Sequence, residues 1–248
     1  MVGSGLDSSP GASPAVLSSR RYDSVVFALI VLTFITGLVD AVSYIGLGRV
    51  FTANMTGNVV LLGFAAAGVP GLSVTRSLVS VGGFLVGAAV GGKLGSIMAS
   101  SARHRWLLSA AFTEAALIFA AALAALGFDI DSGTPVNRLY AIIVLTAIAM
   151  GLRNATVRRL GVADLTTTVL TLTLTGLAAD SSLAGGNNPR LARRLLSVVA
   201  MFGGAAVGAV LLRYGLALPL VITGSCVLCT TAAYTAMPAS TENRGVIS

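Results

Sequence analysis

Eight apolar tracts follow one another along the chain, over about residues 24–47, 55–69, 74–99, 106–127, 139–157, 166–180, 195–213 and 215–237, with few charges inside them. A run of about 20 such residues has the length a helix needs to cross a hydrocarbon core. Only helices and closed barrels satisfy their own backbone polar groups there. Barrel strands read as alternating segments of about 10 residues, whereas these runs are unbroken. Charged residues make up 10% of the chain and hydrophobic ones 55%, against roughly 25% charged in a soluble domain. The chain is therefore read as an all-α polytopic membrane protein whose main partner is the lipid bilayer.

Basic residues orient such a protein by collecting in cytoplasmic loops. The net charge of +7 thus reports topology rather than a nucleic-acid partner. The second and sixth tracts are laced with polar residues and fall short of a full span. If all eight tracts crossed, the 16 Lys and Arg would divide evenly between the two faces, with no orientation bias. If the two short tracts dip in and return on the same side, only Arg49, Arg76, Arg138 and Arg213 stay outside and the other twelve lie inside. The second arrangement obeys the positive-inside rule. It predicts six transmembrane helices plus two re-entrant tracts, with seven or eight spans as the alternative. Both termini are then cytoplasmic. Residues 1–22 and 238–248 read as polar tails around one membrane domain, 23–237.

The domain carries an internal repeat. "IVLTFITGLVDA" from Ile30 returns as "IVLTAIAMGLRNA" from Ile143, which sets Asp40 opposite Asn154. "GAAVG" at Gly87 returns at Gly204. The halves run over about 25–128 and 138–237. Three spans per half is an odd number, so the halves are expected to be inverted relative to each other.

The first short tract opens with "FTANMTGN" at Phe51. Gly57 permits a tight turn, and Thr56 or Asn58 is expected to cap a half-helix whose N-terminus lies within the membrane. Broken helices of this kind hold solutes in secondary transporters. Asn54, Thr56, Gly57 and Asn58 are therefore candidate substrate-binding residues, with Thr171 their counterpart in the second half. The competing reading is that these groups only bond neighbouring helices. The run "GLVDAVSYIGLGRVFTANMTGNVVLLG" resembles the signature of the YoaK family of bacterial inner-membrane proteins. Gly37, Asp40, Ala41, Phe51, Asn54, Thr56, Gly57 and Asn58 match that pattern. The second half departs from it at Leu172, where the family tends to have glycine, so close approach to that tract is in question. The resemblance implies a polytopic protein of the bacterial plasma membrane and names no substrate.

Ionisable groups inside a span are costly and by default suggest function with a partner. Asp40 and Glu114 are the candidates for proton or ion coupling, with Arg153 as partner to either and Asn154 as the repeat mate of Asp40. A purely structural ion pair is the other reading. Glycines 83, 87, 91 and 95 recur every four residues, a packing face and a candidate homo-oligomer seam. Trp106 reads as an interfacial anchor, and Cys226 and Cys229 as buried small hydrophobes. With one histidine, His104, and no nucleotide fingerprint, neither a catalytic triad nor a metal centre nor a cofactor is expected. The leading functional expectation is a small-solute secondary transporter or permease. A non-transporting structural or sensory membrane protein is the alternative.

Overall fold

The architecture comes from a computed structural model. It describes residues 14–98, 103–160 and 170–236. Residues 1–13 and 238–248 of the two expected tails, and residues 161–169 of the sixth tract and the turn before it, lie outside the described residues, whereas residues 14–22 of the expected N-terminal tail are the helical start of α1. The described residues form eight α-helices: α1 Pro14–Gly46, α2 Met55–Ala66, α3 Val74–Ile97, α4 Arg103–Ala124, α5 Val136–Leu160, α6 Leu170–Ala179, α7 Leu191–Leu211 and α8 Ala217–Thr235. Six segments are long and apolar enough to cross a membrane: Val26–Gly46 of α1, α3, α4, α5, Leu191–Tyr214 beginning with α7, and α8. At 12 residues, α2 spans about 18 Å, well short of a core about 30 Å thick. The described part of α6 is shorter still, at 10 residues.

Residue contacts give the helix directions. Leu29, near the start of the apolar segment Val26–Gly46 of α1, packs with Val157 near the end of α5. Leu29, Leu107, Leu160 and Tyr234 meet around one cavity, so the apolar segment of α1 and helix α4 begin at the end of the bundle where α5 and α8 finish. Along α3, Gly83, Gly87 and Gly91 meet Val144, Ile148 and Leu152 of α5 in rising order, which makes these two helices parallel. Along α7, Gly204 and Gly208 meet Phe34 and Leu38 of α1 in the same way. Thus α1, α4 and α7 point one way, and α3, α5 and α8 the other. Strict alternation of eight spans would instead oppose α1 to α4, so that arrangement is excluded.

The path of α2 explains how this works. Leaving α1, the chain turns back into the bundle until Ala53 and Asn54 donate to Asp40. Asp40 stands six residues below Gly46, about 9 Å down the helix axis. From there α2 climbs back, and the following loop rejoins the end of α1. Arg76 Nη1 donates to the carbonyl of Gly48 at 3.3 Å, and Arg49 reaches Gly71. The tract enters and leaves at the same end, as the charge count predicts.

Packing between the halves is reciprocal. The most extensive helix pairs are α3 with α5 and α1 with α7, and the contacts correspond residue by residue. A Cβ on Gly87 would overlap the Ile148 carbonyl, and one on Gly204 the Phe34 carbonyl. A Cβ on Gly151 would overlap the Phe84 carbonyl, and one on Gly37 the Met201 carbonyl. Each pair of main chains touches directly because all four positions lack a side chain, the small-residue device of membrane helices. Gly83, Gly87, Gly91 and Gly95 are consequently occupied by α5 of the same chain. They are an internal seam, and the expectation of an oligomer contact through that face is corrected.

Two further expectations change. Trp106 packs inside the protein at 7% exposure, with the Arg159 guanidinium 6.0 Å from its ring, so it is held by protein contacts rather than standing free as an anchor. Cys229 is exposed and Cys226 only half-buried, so neither is a core residue.

Candidate functional site

The polar residues of the domain fall into two clusters, one around the last two turns of α1 and one beside its middle. The first surrounds the re-entrant loop. Asn54, rather than Thr56 or Asn58, is the N-cap of α2, its Oδ1 accepting from Gly57 N at 3.1 Å. Asp40 Oδ1 accepts from Ala53 N at 3.3 Å and from Asn54 N at 3.2 Å, holding the residues just ahead of the helix. Asn58 is fully buried and staples three segments. Its Oδ1 accepts from Phe51 N at 2.8 Å, and its Nδ2 donates to the Phe51 carbonyl and to Ser80 Oγ. Ser80 of α3 also donates to the Phe51 carbonyl, and Ser43 Oγ accepts from Thr52 N. The Phe51 ring stacks on Tyr44 at 4.9 Å and fills the space a Cβ on Gly57 would need.

Asn58 has therefore spent its hydrogen-bonding capacity within the protein. Asn54 and Thr56 are exposed, and Gly57 is half-covered. In the second half, Thr171 is exposed while Thr173 of α6 is buried. Ser197 stands seven residues before Gly204 as Ser80 stands seven before Gly87, and both serines are buried. The counterpart of the Asn58 face thus runs through Thr173. Spacing along the repeat from the glycine pair would have pointed to Ser80 and Ser197. Thr173 could be picked out only once the helix face was known.

The second cluster lies at mid-span, toward the other end of the bundle. Glu114 is residue 12 of the 22 in α4 and 4% exposed, and Arg153 of α5 is 2% exposed. Arg153 Nε donates to Glu114 Oε1 at 2.6 Å, and its Nη2 closes an ion pair with the same oxygen. Its Nη1 reaches the Leu32 carbonyl and Thr36 Oγ1 of α1, both at 3.4 Å. Thr36 itself donates to the Leu32 carbonyl. So one guanidinium ties α1, α4 and α5 together. Asp40 and Arg153 are not partners. Asn154 is half-buried, and its Nδ2 donates to the Met150 carbonyl one turn back.

Beside this pair is a cavity of about 70 Å³. One site for water needs at least about 10–15 Å³ measured this way, so there is room for several waters or a small solute. Leu29 and Leu32 line one wall, Thr156 and Val157 another, and Thr230, Thr231 and Tyr234 of α8 a third. Glu114 and Arg153 are the charged groups on this wall. Among the described residues no group of three or more His, Cys, Asp or Glu is placed to hold a metal ion.

Comparison with known proteins places this arrangement. Residues 28–233, which contain both clusters, match the family described as a protein of unknown function, DUF1275. The chain belongs to this family. It is also similar to the UPF0700 transmembrane protein YoaK of Bacillus subtilis (strain 168), with 36% identity over 169 residues, 67% of this chain and 70% of that relative. Both findings agree with the resemblance carried by Gly37, Asp40 and the Asn54–Asn58 stretch. No solved structure matches the chain.

Proposed function

We propose that this family member is a small secondary transporter of the plasma membrane, built as two inverted three-span repeats with both termini cytoplasmic. Its solute meets the cavity beside Glu114 and Arg153. The observation that carries this reading is a buried, oppositely charged pair on the wall of a cavity that runs inward from the end of the bundle where α5 and α8 finish. Charges within a membrane are expensive and characteristically mark solute or ion pathways. The opposed directions of the equivalent helices α1 and α5, α3 and α7, and α4 and α8 support inversion, and inverted repeats place sites near the midplane.

The assignment of roles shifts accordingly. Asp40, Asn54 and Asn58 build the hinge on which α2 turns, and Thr56 and Thr171 take no part in the solute site. The exhausted hydrogen bonds of Asn58 favour that structural role for the motif. The experiment is a thermal-stability screen of the purified protein against classes of small metabolite. A stabilising solute is expected. Its effect should vanish in the double variant Glu114→Leu/Arg153→Met while the unliganded melting temperature persists. Equal stabilisation of wild type and double variant would remove the cavity from the function.

A further inference from the structure

The charges around the cavity specify a class of solute and a stoichiometry. The elements packed against Glu114 bring few other ionisable groups to its level. From α5 comes Arg153, and from α8 Tyr234, which lines the same cavity near the end of its helix. On α1, Asp40 is one turn beyond Thr36 and engaged with the loop at Ala53 and Asn54. No further charged residue of α4 lies within its apolar length from Trp106 to Ala124. The pair is electrically neutral, and Arg153 meets the carboxylate of Glu114 on a single oxygen. Arg153 Nε donates to Oε1, and Arg153 Nη2 pairs with the same atom.

Arg153 remains a cation whatever enters, because guanidinium is not deprotonated in proteins. An anion that binds it must displace Glu114. Two anions around one buried cation leave a net charge in a medium that screens it poorly. A small carboxylate avoids this if Glu114 takes up a proton as it is displaced. The bidentate fork of arginine suits a carboxylate in the place of the one it gives up.

We propose that the cavity binds a small monocarboxylate on Arg153 together with one proton on Glu114, so that transport is electroneutral. The balance is complete. Carboxylate and proton enter, the Arg153–Glu114 contact breaks, an Arg153–carboxylate contact forms, and Glu114 becomes a neutral acid. The charge at the site is zero before and after. A monovalent cation would find Arg153 beside its only counter-ion. A dicarboxylate would carry a second charge with no partner. Thr156, Thr230 and Thr231 offer hydroxyls to the rest of the molecule, and Tyr234 stands near the end of its helix. This inference rests on the transporter reading and narrows it.

The test uses the full chain in liposomes with labelled pyruvate, whose low pKa keeps passive leakage small, and labelled glycine as comparator. An inward proton gradient is expected to drive pyruvate uptake, and an imposed voltage to leave it unchanged. Initial uptake should fall by about tenfold per pH unit once the outer pH exceeds the range in which Glu114 takes up its proton. Glu114→Gln should bind pyruvate without a proton, so its uptake becomes voltage-sensitive and loses the pH dependence. Should that variant fail to fold, the voltage and pH arms on the wild type decide alone. Voltage-driven pyruvate uptake in the wild type overturns the proposal. Uptake of glycine and not pyruvate also overturns it, while leaving the transporter reading intact. Uptake of neither overturns the proposal, and the metabolite screen then decides the fate of the broader reading.

Discussion

At the residue scale, the two buried asparagine and arginine clusters make different demands. Removing one partner of a buried ion pair strands the other, at a cost of about 3–5 kcal/mol. Replacing both with apolar groups of similar size is often neutral or stabilising. Arg153 and Glu114 are 2% and 6% exposed at their side chains, so little solvent screening reduces this contrast. Arg153→Met or Glu114→Leu alone is expected to lower the melting temperature in detergent sharply, and the double variant to recover most of the loss. A double-mutant cycle checks this, and additive losses would mean the two groups do not act as a pair. Asn58→Ala removes the acceptor of the Phe51 amide and should cost about 1–3 kcal/mol, the penalty for an orphaned buried donor. Thr56→Ala, at an exposed position, should stay within about 0.5 kcal/mol. Both are read from chemical unfolding in detergent. The importance of these residues was legible from their polarity alone. The partners were not, because Ser80 and the Phe51 main chain come near Asn58 only after the loop turns back. A linear sequence likewise offered Arg153 two carboxylates and no distance to either.

At the element scale, the short length of α2 and the four-residue glycine rhythm of α3 were both visible in the sequence, for physical reasons. The number of residues bounds helix length, and a period near 3.6 selects one face. What the glycine face meets depends on the whole packing, and it meets α5. Gly87 and Gly204 each oppose a carbonyl, whereas a Cβ on Gly92 would meet nothing within 4 Å. Gly87→Ala and Gly204→Ala are therefore expected to be destabilising by about 1–3 kcal/mol or more, as in other overpacked contacts. Gly92→Ala should be neutral or stabilising by up to about 1 kcal/mol, since alanine is the better helix former. Melting of the three variants side by side checks the contrast. Equal effects would mean that α3 and α5 are not in main-chain contact. The turn joining α4 to α5 supplies a smaller prediction. Asp129 accepts from Ser132 Oγ at 2.7 Å and from Asp131 N at 3.0 Å, and the hydroxyl in particular holds its carboxyl below the usual carboxylate range. A depressed folded value means that its contribution is present at neutral pH and is lost as pH falls through that value. An NMR titration of the Asp129 carboxyl carbon should therefore show a higher midpoint in Ser132→Ala.

At the scale of the whole molecule, the repeat was legible because duplicated glycines leave an echo in the sequence. The exchange of partners was not, because each half's third helix packs on the other half's first. The same symmetry isolates the site. Asp40 has its mate in Asn154, but the position equivalent to Arg153 is Val39, so the cation belongs to one half only. Beside the reciprocal contacts of α3 with α5 and α1 with α7 thus stands a charge pair without a counterpart, where α1, α4 and α5 meet. That pair also revises the charge count. Arg153 is buried within the candidate span Val136–Leu160 and drops out of the expected loop tally, leaving eleven basic residues expected on one face against Arg49, Arg76, Arg138 and Arg213 on the other. The bias survives. With Cys226 and Cys229 replaced by alanine, single cysteines at Arg49, Val69, Arg103 and Arg158 report the topology through a membrane-impermeant maleimide on intact cells. Arg49→Cys and Val69→Cys are expected to label from outside, because α2 returns to the end it left. Arg103→Cys and Arg158→Cys should label only after the cells are opened. If α2 crossed instead, Arg49 and Val69 would part company, and the direction of every later helix would reverse with them.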